Sequence, residues 1–100
     1  MNLSKIIILV ISLGFGLSAV AQDDGLKIYI SADMEGVVGA VTGEQLSPGG
    51  FEYERFRQFM TAEVNAAIDA ARAAGATEFL VSDSHGNGQN LLIEQMPDDV

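Results

Sequence analysis

No cysteine occurs among the 100 residues, and histidine occurs once. Disulfides, on which small exported domains often depend, are thereby excluded, as is a lipid-modified cysteine at a signal junction. A metal site formed by these residues would draw on carboxylates and that one imidazole, a hard-to-borderline set suited to zinc, manganese or iron. Basic side chains are scarce too, five Lys and Arg against 14 Asp and Glu for a net charge of −9. No nucleic acid or anionic lipid surface is expected as a partner, because both demand basic patches. The acids have two readings: bound cations neutralise some of them, or they simply solvate the surface of a soluble exported protein. A phosphate cradle is not expected either. The stretch from Gly36 to Gly50 has no Lys or Arg, and Gly36-Val37-Val38-Gly39 lacks the G-x-G-x-x-G spacing of dinucleotide folds.

At the amino end, Lys5 precedes an apolar run from Ile6 to Gly16, and Ala19-Val20-Ala21 stands before Gln22. This pattern predicts a signal peptide over residues 1–21 and a periplasmic or secreted location. The alternative is a retained membrane anchor. A span needs ~20 predominantly apolar residues, and this stretch is shorter and interrupted by Ser12, Gly14, Gly16 and Ser18. After cleavage no stable membrane anchor is expected, and residues 22–100 carry four basic and 14 acidic side chains, net −10. That length is marginal for an independent core, and the sequence stops after Pro97-Asp98-Asp99, where a third element is expected. Residues 22–100 are therefore expected to be the N-terminal part of a larger domain, incomplete at the carboxyl end.

What is present reads as strand, helix, strand. Leu26 to Ala32 is β-branched, aromatic and partly alternating, with Leu26, Ile28 and Ile30 on one side and Lys27 and Tyr29 on the other. Its mostly apolar character predicts a sheet covered on both faces. Gly36 to Gly50 holds five glycines and Pro48, which predicts a long loop without regular structure, functional or mobile. Its Val37-Val38 and Ala40-Val41 are expected to pack partly inward as a wall of the site. Glu52 to Ala74 predicts a helix: Tyr53, Phe56, Met60, Val64, Ala67, Ile68 and Ala71 form a core-facing stripe. Glu52 and Glu54 suit its positive end, Arg72 its negative end, and Gly75 its cap. Thr77 to Ser82 predicts the second strand, and Asn90 to Met96 a short helix or turn stopped by Pro97. The order predicts the α/β class, with a parallel βαβ unit belonging to a central sheet flanked by helices.

Each strand runs into an acidic motif, Asp33-Met34-Glu35-Gly36 after the first and Ser82-Asp83-Ser84-His85-Gly86 after the second. Ligands of open α/β sheets sit outside the carboxyl ends of the strands, so adjacent endings aim Asp33, Glu35, Asp83 and His85 at one point. If the chain stays extended past Ala32, Asp33 and Glu35 share a side. At a strand spacing of ~4.8 Å the two motifs then fall within roughly 5–10 Å of each other. Crowded carboxylates raise one another's pKa unless a divalent cation intervenes. The plainer reading stays open, with Asp33 and Asp83 capping turns and His85 an ordinary loop residue.

Three blocks closely resemble the zinc-dependent D-aminopeptidases of the DppA type. They are Lys27 to Gly36; Tyr53-Glu54-Arg55-Phe56-Arg57 with Met60 to Ile68; and Gly75-Ala76-Thr77-Glu78 with Asp83-Ser84-His85-Gly86-Asn87 and Asn90-Leu91-Leu92. The resemblance implies a dinuclear zinc peptidase that removes N-terminal D-amino acids from short peptides. It implies that Asp33 bridges two zinc ions, that Glu35 binds one and that His85 is a further ligand. The family's other His and Glu ligands and its catalytic His would lie beyond Val100. No catalytic residue is therefore expected within the segment, and the segment alone is expected to be inactive. The resemblance also implies a homo-oligomer. It assigns no ligand role to Asp83, which is expected to support the site by hydrogen bonding to a loop amide or to His85. Asn87 and Asn90 are expected to fix the turn, and Asn65 either to bond toward that loop or to lie at the surface. A metal-dependent phosphohydrolase and a non-catalytic exported binding domain are the alternatives.

Overall fold

A computed structural model describes residues 25–100. The expected signal peptide, residues 1–21, lies outside the described residues. Strands β1 (Leu26–Ala32) and β2 (Ala76–Asp83) pair in parallel, Ile28 beside Phe79, Ile30 beside Val81 and Ala32 beside Asp83. Between them run one short helical turn, α1 (Gly43–Leu46), and the long crossover helix α2 (Tyr53–Ala73). The class is α/β, as the order of periodic segments predicts.

Strand alternation and the 3.6-residue helical period select the same interface. Phe56, Met60, Val64 and Ile68 of α2 form one buried cluster with Ala32, Met34, Val37 and Leu91, and Ile30, Phe79 and Val81 pack against it. Each fully buried side chain of this size contributes about 1.5–3 kcal/mol. Ile68 is wholly inaccessible, so Ile68→Ala is expected to cost roughly 2–5 kcal/mol in denaturant unfolding. A loss below about 1 kcal/mol would place α2 outside the core.

Among the described residues α2 covers one sheet face, and Tyr29 and Leu80 on the other are 63% and 65% exposed. The pairing across that face is a solvated Lys27–Glu78 bridge of 3.0 Å, worth little on its own. On α2, Ala67 is exposed and Thr61 is buried instead. At ~100° per residue, Ala67 falls on the flank of the stripe, where a methyl group gains little.

The glycine-rich stretch is also more ordered than its composition implies. Met34–Gly36 forms a 3-10 turn, and α1 follows. Thr42-x-x-Gln45 is a capping-box pattern: the buried Gln45 carboxamide oxygen accepts the amides of Val41 and Thr42 at 2.6 and 2.9 Å. Val37 is buried, whereas Val38 and Val41 point outward, 84% and 81% exposed. Two glycines shape the ends of α2. A Cβ on Gly50 would lie 2.3 Å from the Glu44 carbonyl oxygen, so α1 rests directly on the chain entering α2. Gly75, at φ +102°, ends the helix in the left-handed region that favours glycine.

Candidate metal centre

The two strands finish side by side, and the Ser84 amide extends the ladder one step to the Ala32 carbonyl at 2.8 Å. Past Ala32 the chain stays extended for one residue only and then turns. Asp33 is extended at φ −135°, ψ 137°, and the 3-10 turn follows at once, closed by the Gly36 amide on the Asp33 carbonyl at 3.2 Å. The cause is Met34, fully buried in the core. Sinking Met34 leaves Asp33 and Glu35 outside, on either side of it. The expected proximity of Asp33 and Glu35 is therefore met through a turn, not through strand alternation.

His85 reaches the same point from the loop after β2. Its Nδ1 lies 3.0 Å from Asp33 Oδ1 and 2.8 Å from Glu35 Oε2, and its Nε2 lies 2.6 Å from the Leu46 carbonyl oxygen. One donor atom from each of Asp33, Glu35 and His85 falls within 4.8 Å of the others. The His85 side chain is 9% exposed, while the side chains of Asp33 and Glu35 are 55% and 58% exposed. The cluster thus has a buried base and an open mouth.

Proton accounting on this imidazole is restrictive. A carbonyl only accepts, so Nε2 carries a hydrogen and donates it to Leu46. A neutral ring then directs the Nδ1 lone pair at two carboxylate oxygens, an arrangement that demands a positive charge among them. Either a second proton or a metal cation meets that demand. Without metal, burial pushes the imidazole pKa down, but the Leu46 carbonyl and the two carboxylates outweigh it and the net direction is up. Hydrogen bonding with Glu35, and then with His85, holds Asp33 below the usual carboxylate range despite some burial. The donor set fits zinc. Ligands at ~2.0–2.1 Å in a tetrahedron stand about 3.3 Å apart, close to the separations found here. The outward hydrogen bond from Nε2 to a carbonyl is the usual companion of a metal-bound histidine.

Asp83 does not join the cluster, so three of the four expected side chains converge. Its Oδ2 accepts the amides of Asn90 and Leu91 at 2.6 and 2.8 Å, and Oδ1 accepts Asn90 Nδ2 at 2.9 Å and, at a long 3.4 Å, the His85 amide. Burial pushes its pKa up, yet the Asn90 side chain and the amides of Leu91, Asn90 and His85 reverse this and leave it lowered. Of the two expected partners, loop amides are found and the imidazole is not. Asn90 indeed fixes the turn, and Asn65 reaches the Gln95 carbonyl at 2.8 Å. The Leu46 carbonyl, which meets His85, and the Tyr53 hydroxyl, which donates to Asn90 Oδ1, were not anticipated. The first has no side-chain signature, and the second sits in an apolar stripe that accounts for a Tyr equally well. Thr42-x-x-Gln45, a capping-box pattern, marks the chain near Leu46 as ordered, against the expectation of a loop without regular structure.

The sequence pattern of the D-aminopeptidase family (peptidase M55) matches residues 26–100. A D-aminopeptidase of Bacillus subtilis (strain 168) is 42% identical over 71 residues, which are 71% of this chain and 26% of the relative. Among solved structures, the Zn-dependent D-aminopeptidase DppA from Bacillus subtilis, a self-compartmentalizing protease, is similar with a TM-score of 0.71. The two share 40% identity over 74% of this chain and 27% of that one. The chain spans about a quarter of the length of these relatives.

Proposed function

The chain belongs to the D-aminopeptidase family, and on that premise we propose that Asp33, Glu35 and His85 hold zinc in a peptidase that removes N-terminal D-amino acids from short peptides. The observation that carries the reading is the His85 ring, with Nε2 committed to the Leu46 carbonyl and Nδ1 facing two carboxylates. Asp33, with two carboxylate oxygens, is proposed to bridge a pair of zinc ions, and Glu35 and His85 to bind one ion each. Bound zinc supplies an activated water and a polarised scissile carbonyl. The chain's own residues do the holding. Leu46 keeps the hydrogen of His85 on Nε2, and Asp33 and Glu35 present their carboxylates at the open mouth. Self-assembly of the protein is proposed from the self-compartmentalizing relative, and a periplasmic or secreted site of action from the pattern of residues 1–21.

Among the described residues, no observation favours the phosphohydrolase. Lys27, Arg55, Arg57 and Arg72 each pair with an acid outside the cluster, namely Glu78, Glu52, Glu54 and Asp99. Zinc analysis of the intact protein, with D- and L-alanyl p-nitroanilides assayed side by side, tests the reading. Stoichiometric zinc and faster release from the D-substrate are expected. Absence of bound zinc, or hydrolysis of phosphate esters alone, would overturn it.

Metal binding should also follow the proton on Nδ1. The raised His85 pKa means that protonated imidazole favours the metal-free fold at low pH, a contribution lost as pH climbs through the folded value. Zinc must displace that proton. Zinc affinity is therefore expected to fall about tenfold per pH unit below the raised value, beginning above the ~6.5 of an ordinary histidine. Chelator competition between about pH 5 and 9 reads this directly, and a flat profile would exclude His85 as a ligand.

A further inference from the structure

Helix α2 carries a second stripe beside its apolar one: Tyr53, Arg57, Thr61 and Asn65, spaced four residues apart. Positions so spaced stack along one face, and each of these side chains bonds the segment after β2. The Tyr53 hydroxyl donates to Asn90 Oδ1 at 2.5 Å, Arg57 Nε to the Asn90 carbonyl at 2.9 Å, and Asn65 Nδ2 to the Gln95 carbonyl at 2.8 Å. Thr61 donates its hydroxyl hydrogen to the Arg57 carbonyl at 2.9 Å, which leaves its lone pairs to accept the Leu92 amide at 3.0 Å. The contacts run in chain order on both partners and so fix a register between helix and segment.

The upper end of this rail is Asn90, 1% exposed. Its Nδ2 donates both to Asp83 Oδ1 and to the His85 carbonyl, while its Oδ1 takes the Tyr53 hydrogen. Between His85 and Asn90 the chain holds Gly86 and Gly88, both at positive φ. Glycines restrain a loop poorly. The backbone of His85 is therefore held on its carbonyl side by Asn90 and by the Gly88 amide at 2.9 Å, and Asn90 is held in turn by Asp83, by Arg57 and, on its side-chain oxygen, by Tyr53.

We propose that Asn90 and Tyr53 are positioning residues through which α2 sets where His85 presents Nδ1 to the metal. The inference rests on the reading of His85 as a ligand. Partners standing behind a metal ligand typically govern 10–100-fold in metal affinity.

Zinc affinity of the intact protein, measured by competition with a chromogenic chelator, tests it. Tyr53→Phe is expected to weaken zinc about tenfold and Asn90→Ala toward a hundredfold. Ile68→Val, which trims the same helix on its apolar side, should leave affinity unchanged at a comparable loss of stability. Should Asn90→Ala fail to fold, Tyr53→Phe decides alone, since it removes a single oxygen. Wild-type affinity in Tyr53→Phe and Asn90→Ala, with zinc lost in His85→Ala, would overturn the inference alone. Equal weakening in Ile68→Val would overturn it as well, by showing that general loosening is enough. Full zinc retention in His85→Ala would instead overturn the ligand reading beneath it.

Discussion

Asp33→Asn is expected to strip zinc from the intact protein and to reduce turnover by more than the roughly 10–100-fold that follows loss of a ligand's hydrogen-bonding partner. The substitution keeps size and shape and removes one negative charge. A neutral amide at this position could not offset the two dications proposed to share it, and it presents one oxygen where a carboxylate presents two. Glu35→Gln also removes a charge, but from a group proposed to serve one ion, so its effect is expected to be smaller. The ranking is the informative part. Either substitution leaves Met34 buried and the 3-10 turn closed, because the turn is held by backbone bonds and by the core. Bound zinc per chain and turnover of D-alanyl p-nitroanilide read the two effects separately. If Asp33→Asn kept wild-type zinc and turnover, the bridging role would be wrong.

How much of this was legible depends on what each residue competes against. β1 spans Leu26–Ala32, as its pattern predicts, and α2 falls one residue inside Glu52 to Ala74 at each end. Apolar periodicity over a long element has few alternatives. β2 extends one residue further at each end than Thr77 to Ser82, because pairing with β1 orders flanking residues that lack strand propensity. The nearness of Asp33 to Glu35 was legible in outcome and not in route. Whether Met34 continues a strand or drops into a core depends on the space that Phe56 and Met60 leave for it, which is a tertiary fact. The partners of His85 were the least visible. A backbone carbonyl such as that of Leu46 leaves no mark in a sequence. A buried Asn90 looks the same as any turn Asn until the helix beside it is in place.

Asp83→Asn tests the part of the site that sequence could name but not explain. The carboxylate of Asp83 accepts the amides of Asn90 and Leu91 on one oxygen and the Asn90 side chain on the other. An amide in its place must turn an NH2 group toward one of those donors. Two N–H groups then face each other in a half-buried pocket, and each donor left without an acceptor costs about 1–3 kcal/mol. The expected result is a loss of roughly 2–4 kcal/mol in unfolding, with zinc binding weakened because the loop bearing His85 is released. The wild-type protein should show the matching pH dependence. Because the folded pKa of Asp83 is lowered, its contribution is complete above the ordinary carboxylate value of ~3.9 and is lost only as pH falls through the folded value. The site loop should therefore resist acid further than an unassisted aspartate would allow, and Asp83→Asn should abolish that margin. Hydrogen exchange of the Asn90 and Leu91 amides across the acid range follows the loop directly. Protection as strong in Asp83→Asn as in the wild type would mean that the rail on α2, and not this carboxylate, carries the loop.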